Sequence, residues 1–147
     1  NSIKTPMAEE VIQFYFVAPA LWGILVGIVE MFFVMQDEGG MHPLSHGLHA
    51  IPTCLIFSYI AMNVPAVANF LGQYVGFFNN MIVAQIAIPI LIGFIAMIKV
   101  KTAAAIVGGH GSVGEKLGHA AIIGLLIAIA PFIFPYVAAY LPSYLAM

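Results

Sequence analysis

Residues 11–35 read VIQFYFVAPALWGILVGIVEMFFVM. Gln13 and Glu30 are the only strongly polar side chains in this run. An α-helix rises about 1.5 Å per residue, so roughly 20 apolar residues cross the hydrocarbon of a bilayer. The run exceeds that length and reads as a tilted transmembrane helix. Ala20, Gly23, Gly27 and Glu30 fall within about one quadrant of its helical wheel. Gly23-x-x-x-Gly27 is the small-residue spacing that lets two helices approach closely. Glu30 continues that face, so it is expected to point at a neighbouring helix rather than at lipid.

The rest of the composition agrees. The chain has 147 residues, 63% of them hydrophobic and 7% charged. About a quarter of an ordinary soluble domain is charged, and so few charges cannot cover a water-soluble fold. Residues 1–147 therefore read as a single integral membrane domain whose solvent is the lipid bilayer. Lysines supply all four basic residues, and the net charge is -2, which argues against a nucleic-acid partner. Cys54 is the single cysteine, so an intrachain disulfide and a CxxC motif are both excluded. The first residue is Asn1 rather than Met, which is compatible with a processed terminus.

Outward from the first span, Thr5-Pro6 followed by Glu9 and Glu10 reads as a helix start. Gln36 to Met41 (QDEGGM) reads as a tight turn, after which Pro43 suits the first turn of a second helix. Residues 44–72 are long for one span and contain Pro52 and Pro65. One kinked helix is the first reading, and a broken or re-entrant segment is the alternative. Gln73 to Asn80 (QYVGFFNN) is a short turn with aromatics at interface level. Residues 81–100 form a third span with Pro89 as a kink, closed by Lys99 and Lys101. Residues 102–111 are a Gly/Ala-rich connection, and Ser112 to Glu115 match a capping box. A fourth span follows over 117–140, bent by Pro131 and Pro135. The expected fold is an all-α membrane protein: a bundle of four transmembrane helices with proline kinks and short connections.

Four spans place the 36–49 and 101–118 segments on one membrane side. Lys99, Lys101 and Lys116 lie there, so that side is expected to be cytoplasmic and both termini outside. All five histidines (His42, His46, His49, His110 and His119) belong to the same side, with Asp37, Glu38 and Glu115. Glu30, His46, His49 and His119 are therefore expected to converge at similar depth. His46, His49 and Thr53 share one helical face.

Two chemistries use such a set. Histidine titrates near neutral pH, and a glutamate inside a membrane is costly enough to mark a conduction or relay role. Alternatively, imidazoles at i, i+3 spacing hold a transition metal such as Cu, Zn or Fe. Each group also has a plain reading. Glu30 can hydrogen-bond a neighbouring helix or reach towards the surface, and His46 and His49 can satisfy loop carbonyls. Glu115 suits a cap, and His42 and His110 suit solvent. No P-loop, GxGxxG, HExxH or GxSxG motif is present. The sequence thus points to a small subunit that is not catalytic by itself. It would sit in a homo-oligomer or among other membrane subunits, and carry protons or cations through Glu30, His46, His49 and His119. The alternatives are a metal-binding subunit of a membrane oxidoreductase, with those four residues as ligands, and a purely structural accessory subunit.

Overall fold

A computed structural model describes residues 14–37, 43–107, 117–142 and 145. Among them the chain forms five α-helices, one short 3-10 turn and no strand. The helices are α1 (Val17–Asp37), α2 (Pro43–Met62), α3 (Val64–Gly72), α4 (Met81–Val107) and α5 (Leu117–Ala138); the 3-10 turn is Gly76–Asn79. Three of them, α1, α4 and α5, are long and apolar enough to cross a membrane. The residues 44–72 divide at Asn63, where α2 and α3 meet at 74°. This is the broken form that the sequence left open. The helix start near Thr5-Pro6 and the Ser112–Glu115 capping box lie outside the described residues.

The long helices start and continue for local reasons. Pro19 falls in the first turn of α1 and Pro43 opens α2, positions where no intrahelical N–H is needed. Pro52 does not break α2. In the turn it loosens, the Thr53 hydroxyl donates to the His49 carbonyl at 2.7 Å. The Asn80 side chain accepts from the amides of Ile82 and Val83 at 3.1 and 3.3 Å and caps the start of α4. α4 runs on to Val107, past the connection expected from 102, because Thr102-Ala-Ala-Ala-Ile-Val107 contains strong helix formers and no breaker.

The helices pair as two hairpins, α1 with α2 and α4 with α5. Both seams are built on glycine. A methyl placed on Gly23 would lie 2.7 Å from Leu55 Cα, and one on Gly27 2.8 Å from Ile51 Cα. In the second hairpin, a methyl on Gly93 would lie 2.7 Å from Ala128 Cβ, and one on Gly124 2.8 Å from Met97 Cβ. Backbones this close gain dispersion contacts that larger side chains would forbid. The hairpins meet through Ala96, Val100, Ala120, Ile123 and Ile127, packed with Val26 and Cys54.

The direction of α5 follows from two contacts with α1. Trp22, towards the start of α1, donates from Nε1 to the Leu126 carbonyl at 3.0 Å. Phe33, towards its end, stacks on His119 at 4.3 Å between ring centroids. The two helices are antiparallel, so the helix ends at Asp37, Pro43, Val107 and Leu117 share one end of the bundle. This is the histidine end.

The opposite end is closed by Asn63. Its φ of -103° and ψ of 47° leave the helix, and Pro65 just beyond it has no N–H to continue the α2 ladder. The Asn63 side chain accepts from the Tyr15 amide at 2.7 Å and donates to the carbonyls of Tyr15 at 3.1 Å and Tyr59 at 2.9 Å. Tyr59 adds a hydroxyl bond to the Phe16 carbonyl at 2.7 Å. The break in α2 is thus tied to the entrance of α1. From there α3 folds against the first turns of α4, with Val64 and Ala68 packed on Ala84 and Ile88.

Two outcomes are expected. Asn63→Ala leaves buried backbone groups of Tyr15 unpaired and lowers the stability of the detergent-solubilised protein by about 2–4 kcal/mol, read from reversible unfolding in mixed micelles. Gly27→Leu drives a side chain into the α2 backbone and costs about 3 kcal/mol. The same assay reads it, and its loss appears in the single chain whatever the state of assembly.

Candidate functional site

Glu30 is 6% exposed, on the α1 face turned towards α2. By residue count it lies about 5 Å from the middle of the Val17–Gln36 span. Helical side chains lean towards the helix N-terminus, so in α1 the carboxyl leans towards the bilayer centre and away from the histidine end. In the antiparallel α2, Cys54 leans the other way. The two meet: Cys54 Sγ donates to Glu30 Oε2 at 2.8 Å.

The Cys54 position follows from the glycine seam. With Gly23 on Leu55 and Gly27 on Ile51, α2 turns its 50, 54 and 58 positions inwards. Ala50, Cys54, Ser58 and Ala61 are all buried, at i, i+4, i+8 and i+11. Ser58 is 0% exposed, and its Oγ has no hydrogen-bond partner among the described residues. Among the described residues the buried polar side chains are Glu30, Ser58 and Asn63, and with Cys54 they run in the order Glu30, Cys54, Ser58, Asn63 away from the histidine end.

The histidines are placed differently from one another. His119 is half-buried under the Phe33 ring, one turn from Glu30 along α1. His49 is exposed, on the α2 face that turns away from Glu30. His46 belongs to α2, but its side chain lies outside the described residues, as do His42 and His110. The structure therefore brings Glu30 together with Cys54 and sets His119 close by, and does not bring His49 to them. Among the described residues, no three His, Cys, Asp or Glu side chains gather as a metal ion requires. Gly23 and Gly27 lie in the α1–α2 seam.

Cys54 and Ser58 are the site residues that sequence reasoning missed. A signal existed: Ala50, Cys54, Ser58 and Ala61 form a stripe of small and weakly polar residues at helical spacing. As a single cysteine, Cys54 excludes disulfide and CxxC chemistry, and that reading says nothing of its place in the stripe.

At the other end, a cleft of about 400 Å³ lies beside Pro131 and Pro135 of α5. Tyr15, Ala18, Met62, Pro131 and Phe134 line it. Met62 lies one turn beyond Ser58 on α2, so the cleft meets the end of the polar file.

No protein-family model, no curated protein and no solved structure matches this chain.

Removing the thiol tests the pairing. Cys54→Ala takes away a donor to a buried carboxyl and is expected to lower stability by about 1–3 kcal/mol, whereas Cys54→Ser keeps a donor and recovers most of it. Unfolding of the three proteins in one detergent compares them.

Proposed function

We propose that the protein is a small polytopic subunit of an oligomeric or multi-subunit membrane complex, and that it conducts protons or cations through a buried polar file centred on Glu30. One observation carries this reading. An ionisable carboxyl is held near the middle of a membrane-length helix, turned inwards and satisfied by a thiol. Charged side chains are expensive in hydrocarbon and are placed there for ion and proton traffic. A carboxyl kept only for helix pairing has no need of ionisation, and a neutral amide or hydroxyl serves that purpose at lower cost.

In this reading Glu30 is the charge-bearing group. His119 is the relay group one turn towards the histidine end, with His46 and His49 at its mouth. The bent α2–α3 pair completes the fourth crossing. Lys99 and Lys101, both exposed on α4, favour a cytoplasmic histidine end and, with four crossings, termini on the outside. The outward face of α4 carries Ile82, Ile86, Ile90 and Phe94, all exposed in the single chain. A neighbouring subunit or lipid covers that face.

Glu30→Gln decides the matter. Its amide oxygen still accepts from Cys54, so the fold is retained, but it exchanges no proton. Ion flux into proteoliposomes, read with a pH-sensitive dye and with cation-sensitive dyes, is expected to fall at least tenfold. Unchanged flux in the variant, or no flux above empty vesicles in the native protein, defeats the reading.

A further inference from the structure

Ser58 stands apart from the other helical hydroxyls with described hydrogen bonds. Thr53 donates to the carbonyl four residues back at 2.7 Å, and Thr102 does the same at 2.9 Å. That is the ordinary way for a hydroxyl in a membrane helix to satisfy itself. Ser58 does not do so, although it is fully buried and its Oγ has no partner among the described residues. Unpaired buried hydroxyls are uncommon, and an ordered internal water is their usual partner.

The surroundings indicate where such a water would sit. Side chains of α2 lean towards its N-terminus, so the Ser58 hydroxyl leans towards Cys54, one turn away on the same buried face. Cys54 is already bonded to Glu30. On the other side, Met62 lies one turn further and lines the cleft at the Asn63 end. A relay that stopped at Glu30 would be a dead end near mid-membrane. The only fully buried side-chain hydroxyl among the described residues lies between that point and the cleft.

We infer that Ser58 holds a buried water against the Cys54–Glu30 pair, and that this hydrated hydroxyl links Glu30 to the cleft beside Met62 and Tyr15. The inference rests on the reading of Glu30 as an ion-carrying group. Each hop moves one proton. The water or hydroxyl oxygen accepts a proton from one neighbour and releases its own to the next, so each relaying oxygen ends neutral, while Glu30 passes between carboxyl and carboxylate as it takes up and gives off the proton; no co-reactant enters.

Water-edited solid-state NMR on the carbon-13-labelled protein in lipid vesicles tests the water directly. The Ser58 Cβ signal is identified by its loss in Ser58→Ala. Magnetisation from water is expected to reach Ser58 Cβ at least several-fold faster than Ala130 Cβ, which is equally buried and apolar. Build-up as slow as that of Ala130 overturns the hydrated site. Flux measurements on Ser58→Ala and Glu30→Gln then test the link. A loss of at least tenfold in both supports it. Loss in Glu30→Gln with normal flux in Ser58→Ala overturns the Ser58 relay and leaves the Glu30 reading standing. Normal flux in Glu30→Gln defeats that reading and the relay with it, while the NMR result still decides whether Ser58 holds water.

Discussion

Hydrocarbon gives two apolar helices no solvent-driven reason to touch, because lipid tails are as apolar as leucine. Close backbone approach has to do that work here, and it does so twice. Gly23 and Gly27 admit the backbone of α2 at Leu55 and Ile51, and Gly93 and Gly124 admit each other across α4 and α5. The seams also fix rotation. Once Gly23 and Gly27 face Leu55 and Ile51, α2 has no freedom to present His49 inwards. Cys54 and Ser58 take the inner face, and Glu30 finds a thiol rather than an imidazole. The chemistry of the site is thus a consequence of two missing side chains on α1.

The two ends of the bundle differ for a related reason. Between residues 39 and 98 the sequence has no Asp, Glu, Lys or Arg. The whole α2–α3–α4 connection must satisfy its backbone without charges, and Asn63 supplies the means by bonding Tyr15 and Tyr59 backbone groups at the break. Around it Phe70, Tyr74 and Phe77 are exposed, the residue types that settle at a membrane–water interface. Among the described residues, the histidine end carries Lys99, Lys101, His49 and His119 instead. An apolar, aromatic end and an ionisable end on one small bundle form an asymmetric frame around the buried acid.

Much of this was legible in the sequence, and the remainder failed for specific reasons. The apolar runs announced the long helices, and the Gly23–Gly27–Glu30 alignment announced a face turned to another helix. The register of α2 was not legible. Its small residues at 50, 54, 58 and 61 are helically spaced, but so is the other face that carries His49 and Thr53, and periodicity alone does not rank the two. Close approach at Gly23 and Gly27 ranked them, and that is a tertiary fact. The break at Asn63 was obscured by two prolines. Pro52 was absorbed within α2, while Pro65 cooperated with Asn63, whose buried bonds to Tyr15 and Tyr59 no local spacing marks. The Gly93–Gly124 crossing was missed because its two halves lie on different helices, so no local spacing marks it.

The carboxyl at Glu30 is the point at which a purely structural account strains. Helix pairing at this level is already provided by the glycines, and Trp22 and Phe33 already join α1 to α5 above and below it. A leucine or glutamine at position 30 would avoid placing an ionisable group in the bundle core, and the α1–α2 seam would survive either. What glutamate adds is a group able to bind and release a proton or a cation. Its neighbours extend that ability in both directions. His119 and the Phe33 ring lie towards the histidine end, and Cys54, Ser58 and the cleft beyond Met62 lie towards the other. An acid kept for adhesion needs a partner on one side only. An acid with polar groups strung before and after it has the arrangement that the proposed conduction calls for.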